Sequence, residues 1–345
     1  MKPIRLFFFV ATLAFLLSST VVEGGLKREN TISGKTMGTF YKIKYISDLH
    51  TSQGLWKQKV DTRLKEINKH LSMYDPKSEL SVFNQEIIGK PVSISSDFFT
   101  MIQEGERLYQ LTNGAWDGTI KPLVDLWGFG TQKKAMMIPK QETIQSALSQ
   151  TGFNHIQING PRSITKQNFI TLDFGSIAKG YGVDAIAKLF VTSGIHNVLV
   201  EIGGELFASG KNKNNELWSV GISRPDKVFA RQTLFKIIQL DNQAIATSGN
   251  YRNFYEIDNK TYSHIIDPKT GFPVKNKIVS ASVISKDCTF ADGLATALMV
   301  MDVEKGIELV NTLDGTECLI VQKIEPGLKT DQEFISHFSK NFESL

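Results

Sequence analysis

The stretch "IVSASVISKDCTFADGLATALM", residues 278–299, joins a strand pattern directly to a helix pattern. Its first eight residues combine β-branched and small side chains and predict a strand. Residues 289–301 predict a helix, on which Asp292 and Thr296 lie four residues apart and therefore share one face. An acid near a helix N-terminus often only complements the helix dipole. The pair alone leaves open both a packed, structural role and a polar binding site.

Outward from this stretch, the sequence predicts helices mixed with short strands. Residues 31–46 alternate in hydrophobicity and predict a strand or a hairpin. Apolar residues spaced three or four apart predict helices over about 56–71, 97–111, 138–152, 176–192 and 303–312. Residues 155–285 are otherwise β-rich, residues 318–324 predict a strand, and the polar C-terminal tail predicts a last helix. Because strands and helices do not alternate regularly, the predicted fold class is α+β.

Composition limits the classes of protein. The chain has 345 residues, of which 41% are hydrophobic and 21% charged, which is typical of a globular protein with a large core or two subdomains. The net charge of +4 is not concentrated in a basic block, so nucleic acid is not an expected partner. Cys288 and Cys318 are too few for a disulfide framework and lie in apolar runs, so both are expected to be buried.

The N-terminus has the pattern of an export signal. Lys2 and Arg5 precede twelve mostly apolar residues, 6–17, and small and polar residues follow. Twelve residues are short for a membrane span, so residues 1–24 predict a signal peptide or, if the segment is not cleaved, a membrane anchor. The folded part of the chain is then residues 25–345. We expect it in the periplasm or on the outer face of the cytoplasmic membrane.

Three glycine-containing motifs carry the strongest signals for binding. "DFGSIAKGYGVD" (173–184) places glycines at a strand-to-helix junction, where free N–H groups suit a phosphate. It nevertheless matches neither the Walker A loop nor GxGxxG. "LVEIGGELFASG" (199–210) ends a strand at a Gly-Gly pair, which allows close approach by a ligand or another strand. "GAWDGTIKPLVDLWGFG" (114–130) sets aromatic residues among glycines, either to flank a flat ring or to pack as a loop.

Two further motifs predict turns near polar side chains. "AIATSGNYRNF" (244–254) predicts a turn at residues 247–249. "HIIDPKTGFP" (264–273) predicts a strand that closes on a Pro-Gly turn, with His264 at its end. A single histidine is more often structural than catalytic, so His264 carries no role on this basis alone.

Taken in order, the motifs resemble those of the ApbE family of FAD:protein FMN transferases. The series runs through "KTMGTFY" (35–41), "LSMYDPKSELSVFN" (71–84), the five motifs above and "ADGLATAL" (291–298). The resemblance covers about residues 31–320. It implies a two-lobed α+β fold with mixed or antiparallel sheets and flanking helices. It also implies that FAD lies in the cleft between the lobes, with Mg²⁺ at its pyrophosphate.

The resemblance also implies a set of site residues. The positions that contact FAD in the family fall on Met37, Tyr74, Ala115, Trp116, Asp117, Asp173, Lys179 and Ile266. The metal ligands fall on Ser176, Asp292 and Thr296, and some members have a further carboxylate where this chain has Ala295. His264 matches the candidate proton acceptor. The chain departs from the common pattern at Trp116, where Phe is frequent, at Gly118, where Pro is frequent, and at Ser176, where Gly, Ala or Thr can stand.

The implied reaction moves FMN from FAD to a Thr or Ser hydroxyl of an acceptor flavoprotein and releases AMP. Mg²⁺ would neutralise the pyrophosphate, and His264 or Asp292 would take the hydroxyl proton. The expected acceptors are subunits of membrane redox complexes. Two alternatives stay open: an FAD pyrophosphatase that uses water at the same site, and a non-catalytic flavin-binding protein. The second would be expected to lack the pair of Asp292 and Thr296, which this chain retains.

Overall fold

The computed structural model describes residues 27–130, 137–223, 234–250, 254–257, 260–324 and 333–344. Residues 1–24 lie outside these ranges, so their role as a signal peptide or an anchor stays a prediction. Within the described ranges, no helix combines the length and the apolar character needed to cross a membrane.

Most helices of the described chain follow the periodic patterns of the sequence. They are α1 (Gln53–Leu71), α2 (Glu79–Gln85), α3 (Ser96–Leu111), α4 (Lys121–Leu126), α5 (Gln141–Leu148), α6 (Ala178–Val191), α7 (Cys288–Leu298) and α8 (Val303–Asn311). In α1 the predicted apolar side is buried, and Ser52 caps the first turn by accepting a hydrogen bond from the Leu55 N–H. The six helices that the spacing predicts are confirmed, whereas α2 and α4 lie inside motifs that carry no helical period.

The strands of the described ranges form one large sheet and three small ones. They are β1 (Lys27–Thr36), β2 (Thr39–Asp48), β3 (Val92–Ser93), β4 (Ile156–Gly160), β5 (Ser163–Lys166), β6 (Val198–Ile202), β7 (Glu205–Ser209), β8 (Trp218–Ser223), β9 (Leu234–Leu240), β10 (Gln243–Gly249), β11 (Phe254–Ile257), β12 (Lys260–Ser263), β13 (Ile278–Ser285), β14 (Glu317–Lys323) and β15 (Phe334–Phe338). The large sheet has the order β1-β2-β6-β7-β10-β13-β14-β15, and all its neighbouring strands are antiparallel. The small sheets are β3-β5-β4, β8-β9 and β11-β12. The α+β fold class is therefore confirmed.

Residues 278–299 form the centre of the molecule. Strand β13 lies between β10 and β14 and is buried along almost its whole length, which explains its β-branched and small side chains. Helix α7 follows after two residues and packs back across β10 and β13. Its residues are nearly all buried, Asp292 and Cys288 among them. Cys318, on β14, is also buried, so both cysteine predictions are confirmed.

Helix α6 packs so closely against α7 that a side chain at the contact point, Gly180, would not fit. A Cβ atom on Gly180 would lie only 2.4 Å from the carbonyl oxygen of Cys288, so α6 needs glycine at this point. One turn further along α6, the Asp184 carboxylate accepts hydrogen bonds from the N–H groups of Cys288 and Thr289, each at 2.8 Å, and from the Thr289 hydroxyl. Asp287, at the N-cap of α7, makes no side-chain cap, so Asp184 caps α7 from a neighbouring helix.

Among the residues that the structure describes, the hydrophobic core has three parts. The largest lies between one face of the large sheet and α1, α3, α6 and α7. A second covers the opposite face, where Trp218 from β8 and the C-terminal Phe342 pack over β7, β10, β13 and β14. A third surrounds Trp127 and Ile266, away from the large sheet, with residues of α4, α5, β11 and β12.

Two local predictions are wrong. The described part of the C-terminal tail, residues 333–344, forms strand β15 and a 3₁₀ turn, Phe342–Ser344, where the sequence predicted a helix, because β15 pairs with β14. Residues 247–249 end strand β10 and do not form a turn. Their polar side chains suggested a turn, but Thr247 pairs with Ser282 of β13, and its hydroxyl hydrogen-bonds the Ser282 hydroxyl at 2.8 Å.

The cap supplied by Asp184 predicts a measurable loss of stability. Asp184→Ala removes the acceptor for three donors at the start of α7, so the free energy of unfolding should fall by about 1–2 kcal/mol. Asp302 is the matched control, because it is the N-cap of α8 but makes no side-chain cap. Asp302→Ala should change the free energy by less than about 0.5 kcal/mol. Equal effects of the two substitutions in urea unfolding would contradict the capping role.

Candidate active site

Three charged side chains meet where α6 begins, α7 passes and β6 turns into β7. Lys179 Nζ lies 2.5 Å from Glu205 Oε1 and 3.7 Å from Asp292 Oδ1. The other oxygen of Asp292, Oδ2, accepts a hydrogen bond of 3.1 Å from the Gly180 N–H. Glu205 and Asp292 are only 4% and 2% exposed. The structure thus joins two predicted site residues, Lys179 and Asp292, and adds a third that the sequence did not single out.

The protonation of this cluster is set by burial and by its own charges. Burial raises the pKa of Glu205 to about 7, aided by the negative charge of Asp292 and opposed by Lys179. Burial also raises the pKa of Asp292, against the opposing effects of Lys179 and the Gly180 N–H. Burial alone would lower the pKa of Lys179, but the two carboxylates outweigh it and raise the pKa. The lysine therefore stays charged, and the two acids compete for it.

Asp292 and Thr296 share one face of α7, as their spacing predicts. The Thr296 hydroxyl lies 2.9 Å from the hydroxyl of Ser248, on the neighbouring strand β10. Two hydroxyl oxygens and one carboxylate are thus presented by α7 and β10. Ser248 belongs to the "ATSG" motif, so this motif adds to the site through a strand and not through the expected turn.

Ser176 connects this region to the aromatic motif. The Trp116 indole Nε1–H donates a hydrogen bond of 3.0 Å to the Ser176 hydroxyl. The Trp116 side chain is buried, and it packs beside Phe153 with ring centroids 5.8 Å apart. The tryptophan that replaces the more frequent phenylalanine therefore forms a polar contact that phenylalanine cannot make.

Two further predicted site residues form turns beside Trp116. Asp117 Oδ1 accepts hydrogen bonds from the Thr119 N–H at 2.8 Å and the Thr119 hydroxyl at 2.6 Å. Asp173 Oδ1 accepts one from the Gly175 N–H at 2.7 Å, and the Asp173 N–H donates to the Gly118 carbonyl. Burial raises the pKa of both carboxyl groups, and these hydrogen bonds oppose the shift. The two loops that carry them are therefore joined through their backbones.

Met37 and Tyr74 lie at the edges of this region. Met37 is in the turn between β1 and β2 with φ of 49°, and a Cβ atom on Gly182 of α6 would lie 3.0 Å from its methyl group. Tyr74 is 77% exposed. Its neighbour Met73 lies near Gly175, so Tyr74 adjoins the Asp173 loop. A large exposed aromatic ring next to a polar site is available to stack on a flat ligand.

His264 and Ile266 belong to the segment that follows β12. The Ile266 side chain is buried in the third core, and the His264 ring lies 6.3 Å from the Phe129 ring, centroid to centroid. This segment docks on the aromatic motif, because the Trp127 indole N–H donates to the Gly271 carbonyl at 2.7 Å. Ala115 is buried in the same motif. The contacts described above link the other predicted site residues to one another or to neighbouring residues of the same loops, and His264 and Ile266 pack against the aromatic motif.

A cavity of about 370 Å³ opens beside Asp117. Its walls come from the end of α3, the loop around Thr151 and the turn at Pro268 and Lys269. It does not include Asp292 or Thr296. The cavity therefore adjoins the aromatic motif and is separate from the hydroxyl and carboxylate groups of α7.

The side chains at α7 suit a hard divalent cation. Asp292 and Thr296 on α7 offer oxygen atoms, which Mg²⁺ prefers, and Asp292 brings a buried negative charge. Ser176, two residues before α6, offers a further hydroxyl oxygen, which accepts the hydrogen bond from Trp116. In the described part of the chain, no three His, Cys, Asp or Glu residues cluster as a complete metal site. A cation here would need further oxygens from backbone, water or a phosphate ligand, which is usual for Mg²⁺.

Sequence reasoning missed three residues that shape the site: Glu205, Ser248 and Asp184. Each lies inside a motif that was recognised for other reasons, namely "IGGE", "ATSG" and the end of "DFGSIAKGYGVD". The signal available was a polar side chain in an otherwise buried strand or helix. It identifies a buried polar group but not its partner.

Comparison with known proteins places this geometry in a family. The family model described as "ApbE family" matches residues 37–320. The FAD:protein FMN transferase of Vibrio cholerae serotype O1 is 40% identical over 313 residues, covering 90% of this chain and 91% of that protein. The protein of the same description from Haemophilus influenzae is 34% identical over 322 residues, with 91% of each chain covered.

Solved structures agree in fold. The flavin transferase ApbE from Vibrio cholerae superposes with a TM-score of 0.83 at 38% identity, covering 93% of this chain and all of that one. The apo flavinyl transferase ApbE from Pseudomonas stutzeri gives a TM-score of 0.83 at 33% identity, with 92% and 97% covered. The family match over residues 37–320 spans every candidate site residue, from Met37 to Thr296. The chain belongs to the ApbE family.

Proposed function

We propose that this protein is a Mg²⁺-dependent FAD:protein FMN transferase. It moves FMN from FAD to a Thr or Ser hydroxyl of an acceptor flavoprotein and releases AMP. The observation that carries the proposal is the buried Asp292 beside Thr296 on α7, in contact with the glycine-rich first turn of α6. Membership of a family whose relatives are named for this activity supports it.

In this proposal, Asp292, Thr296 and Ser176 hold the cation. When bound, Mg²⁺ would neutralise the charge that develops on the pyrophosphate of FAD. Asp292 provides the negative charge that attracts the cation, and the two hydroxyl residues provide neutral oxygens. The contact between the Gly180 N–H and Asp292 Oδ2 fixes one carboxylate oxygen, which leaves Oδ1 facing Lys179 and the site.

The flavin nucleotide would be bound by the residues around this centre. Lys179 places a positive charge next to the proposed phosphate position, and Asp173 and Asp117 shape the two loops that adjoin it. Tyr74 has an exposed ring for stacking. Met37, Ala115, Trp116 and Ile266 complete the proposed set.

The transfer itself is a displacement at phosphorus. The acceptor's hydroxyl oxygen forms a new bond to the FMN-side phosphorus while the bond from that phosphorus to the bridging oxygen breaks. AMP departs with the bridging oxygen, and the hydroxyl proton passes to His264 or to Asp292. Holding the acceptor hydroxyl in line with the breaking bond is the main task of the protein in such a step.

The same site also accommodates hydrolysis. If water replaces the acceptor hydroxyl, the products are FMN and AMP, which is FAD pyrophosphatase activity. AMP release measured with and without an acceptor flavoprotein separates the two activities. A non-catalytic flavin-binding protein is disfavoured by the retained pair of Asp292 and Thr296, and it would release no AMP in either assay.

We propose further that the protein acts after export. The basic and apolar pattern of residues 1–24 supports a signal peptide or an anchor, with the catalytic unit in the periplasm or on the outer face of the cytoplasmic membrane. Acceptor subunits of membrane redox complexes would be available there. N-terminal sequencing of the protein from separated cell fractions tests this placement, and an intact leader on protein in the cytosol would contradict it.

Asp173→Ala should weaken FAD binding. The substitution removes a carboxylate that shapes the 173–175 turn, so the Kd measured by flavin fluorescence should rise about tenfold, as expected for one lost hydrogen bond of charged type. Asp241→Ala is the matched control, because Asp241 also accepts from a glycine N–H, that of Gly210, at 2.9 Å. An unchanged Kd for Asp173→Ala would remove Asp173 from the site.

Asp292→Asn should abolish most of the transfer. Asparagine keeps an oxygen but loses the charge, so the rate of AMP release should fall on the order of a hundredfold or more. Thr296→Val has nearly the same volume and lacks only the hydroxyl, so a smaller loss is expected. Added Mg²⁺ should partly restore either variant if affinity for the cation is what has been damaged.

Thr289→Val provides the control on the same helix. Its hydroxyl contacts Asp184 and not the site, so this variant should lose stability but keep the Mg²⁺ dependence of the unaltered protein. Melting temperature and AMP release are measured together at several Mg²⁺ concentrations. Normal turnover of Asp292→Asn with ordinary Mg²⁺ dependence would contradict the proposed role of α7.

A further inference from the structure

Glu205 has an unusual position for a buried acid. Its Oε1 atom contacts Lys179 Nζ at 2.5 Å, while Oε2 is buried and has no hydrogen-bond partner among the described residues. Asp292 competes for the same ammonium group from 3.7 Å. When ionised, two carboxylates and one ammonium leave a net charge of −1 in a largely buried place. Such a charge is costly unless a further cation compensates it.

The two carboxylates are not equivalent with respect to that cation. Asp292 shares its helix face with Thr296 and its neighbour Ser248, so it has other hard oxygens nearby. Glu205 lies at the start of β7 and makes its closest charged contact with Lys179. A divalent cation at Asp292 would repel the half-buried lysine, which keeps its position only if a second acid holds it. Glu205 is already the nearer partner.

The turn before Glu205 is built to permit this ion pair. Gly203 has φ of +67°, and a Cβ atom there would lie 2.9 Å from the Thr39 methyl group and 3.2 Å from Lys179 Cδ. The lysine side chain therefore passes directly over a glycine to reach Glu205. This explains the first glycine of the "IGGE" motif, whereas Gly204 has open space around it and needs glycine for its φ of +109°.

We propose that Glu205 is a positioning residue that holds Lys179 and thereby frees Asp292 to bind the cation. The inference rests on the proposed function, because it takes Asp292 as a cation ligand. Glu205 itself does not contact the cation in this account. Its effect passes through Lys179, and it should therefore disappear when the lysine is absent.

The test measures Mg²⁺ binding to the protein without FAD, by isothermal titration calorimetry at pH 8. In Glu205→Gln, Lys179 retains only Asp292 as a charged partner and competes with the cation. The Kd for Mg²⁺ should rise by about 10- to 100-fold, as is usual when a residue that supports a metal ligand is lost. The control is Glu201→Gln, a carboxylate on the adjoining strand β6, which should leave the Kd unchanged.

A double substitution separates positioning from direct ligation. Lys179→Met should bind Mg²⁺ at least as tightly as the unaltered protein, and adding Glu205→Gln to it should have no further effect. If Glu205→Gln weakens Mg²⁺ binding equally in the Lys179→Met background, Glu205 is itself a ligand and the proposal is wrong. A lowered melting temperature with an unchanged Kd in the single variant also contradicts it, since that pattern indicates a purely structural role.

The remaining outcomes are also decisive. If Glu205→Gln does not fold, Glu205→Asp is measured in its place. The aspartate side chain is one methylene shorter, so the Kd for Mg²⁺ should still rise, though by less. An unchanged Kd for Glu205→Asp overturns the proposal. If the unaltered protein binds no Mg²⁺, the cation site of the proposed function fails and the role of Glu205 fails with it. If the unaltered protein binds Mg²⁺ and Glu205→Gln binds it equally well, only the role of Glu205 fails.

Discussion

The close contact between the first turn of α6 and the start of α7 is the constraint on which the rest of the site depends. Gly180 lies against the backbone of Cys288, and the Asp184 carboxylate caps α7 from the side. The same turn of α6 carries Lys179 and the N–H group that binds Asp292. Any movement of one helix against the other would therefore change both the cap of α7 and the charges of the site.

A second network, of hydrogen bonds and ion pairs around Asp97, holds α6 against α3 and α1. The Tyr181 hydroxyl donates to the buried Asp97 carboxylate on α3 at 2.6 Å, and Arg63 from α1 donates to both oxygens of the same carboxylate. His70 Nδ1 lies 2.9 Å from it. Burial opposes ionisation of Asp97, but hydrogen bonds from Arg63, Tyr181 and His70 hold its pKa well below the usual range. Helices α1, α3 and α6 are thus bound to the one ionised carboxylate of Asp97. Helix α6 is therefore held by α7 and also by this carboxylate.

Charge distinguishes this site from an ordinary buried ion pair. A buried pair that is complete seldom needs anything further, whereas Glu205, Asp292 and Lys179 leave one negative charge and one carboxylate oxygen without a partner in the described structure. The proposed cation would resolve this imbalance and would do so at the carboxylate that has hydroxyl groups beside it. The imbalance is thus consistent with a site that is completed by its ligands.

Local sequence patterns determined much of this protein by themselves: the β1–β2 hairpin, the long helices, the central strand β13 and the side-by-side placement of Asp292 and Thr296. These features depend on the periods of single elements, which neighbouring residues encode. The ordered motifs also determined the family. Only the tertiary structure decided that residues 247–249 belong to a strand, that the tail pairs with β14, and that Asp184 caps a helix 104 residues away. It likewise decided that Glu205 holds Lys179, because the partner of a buried polar group is set by packing between elements distant in sequence, and no local period records it.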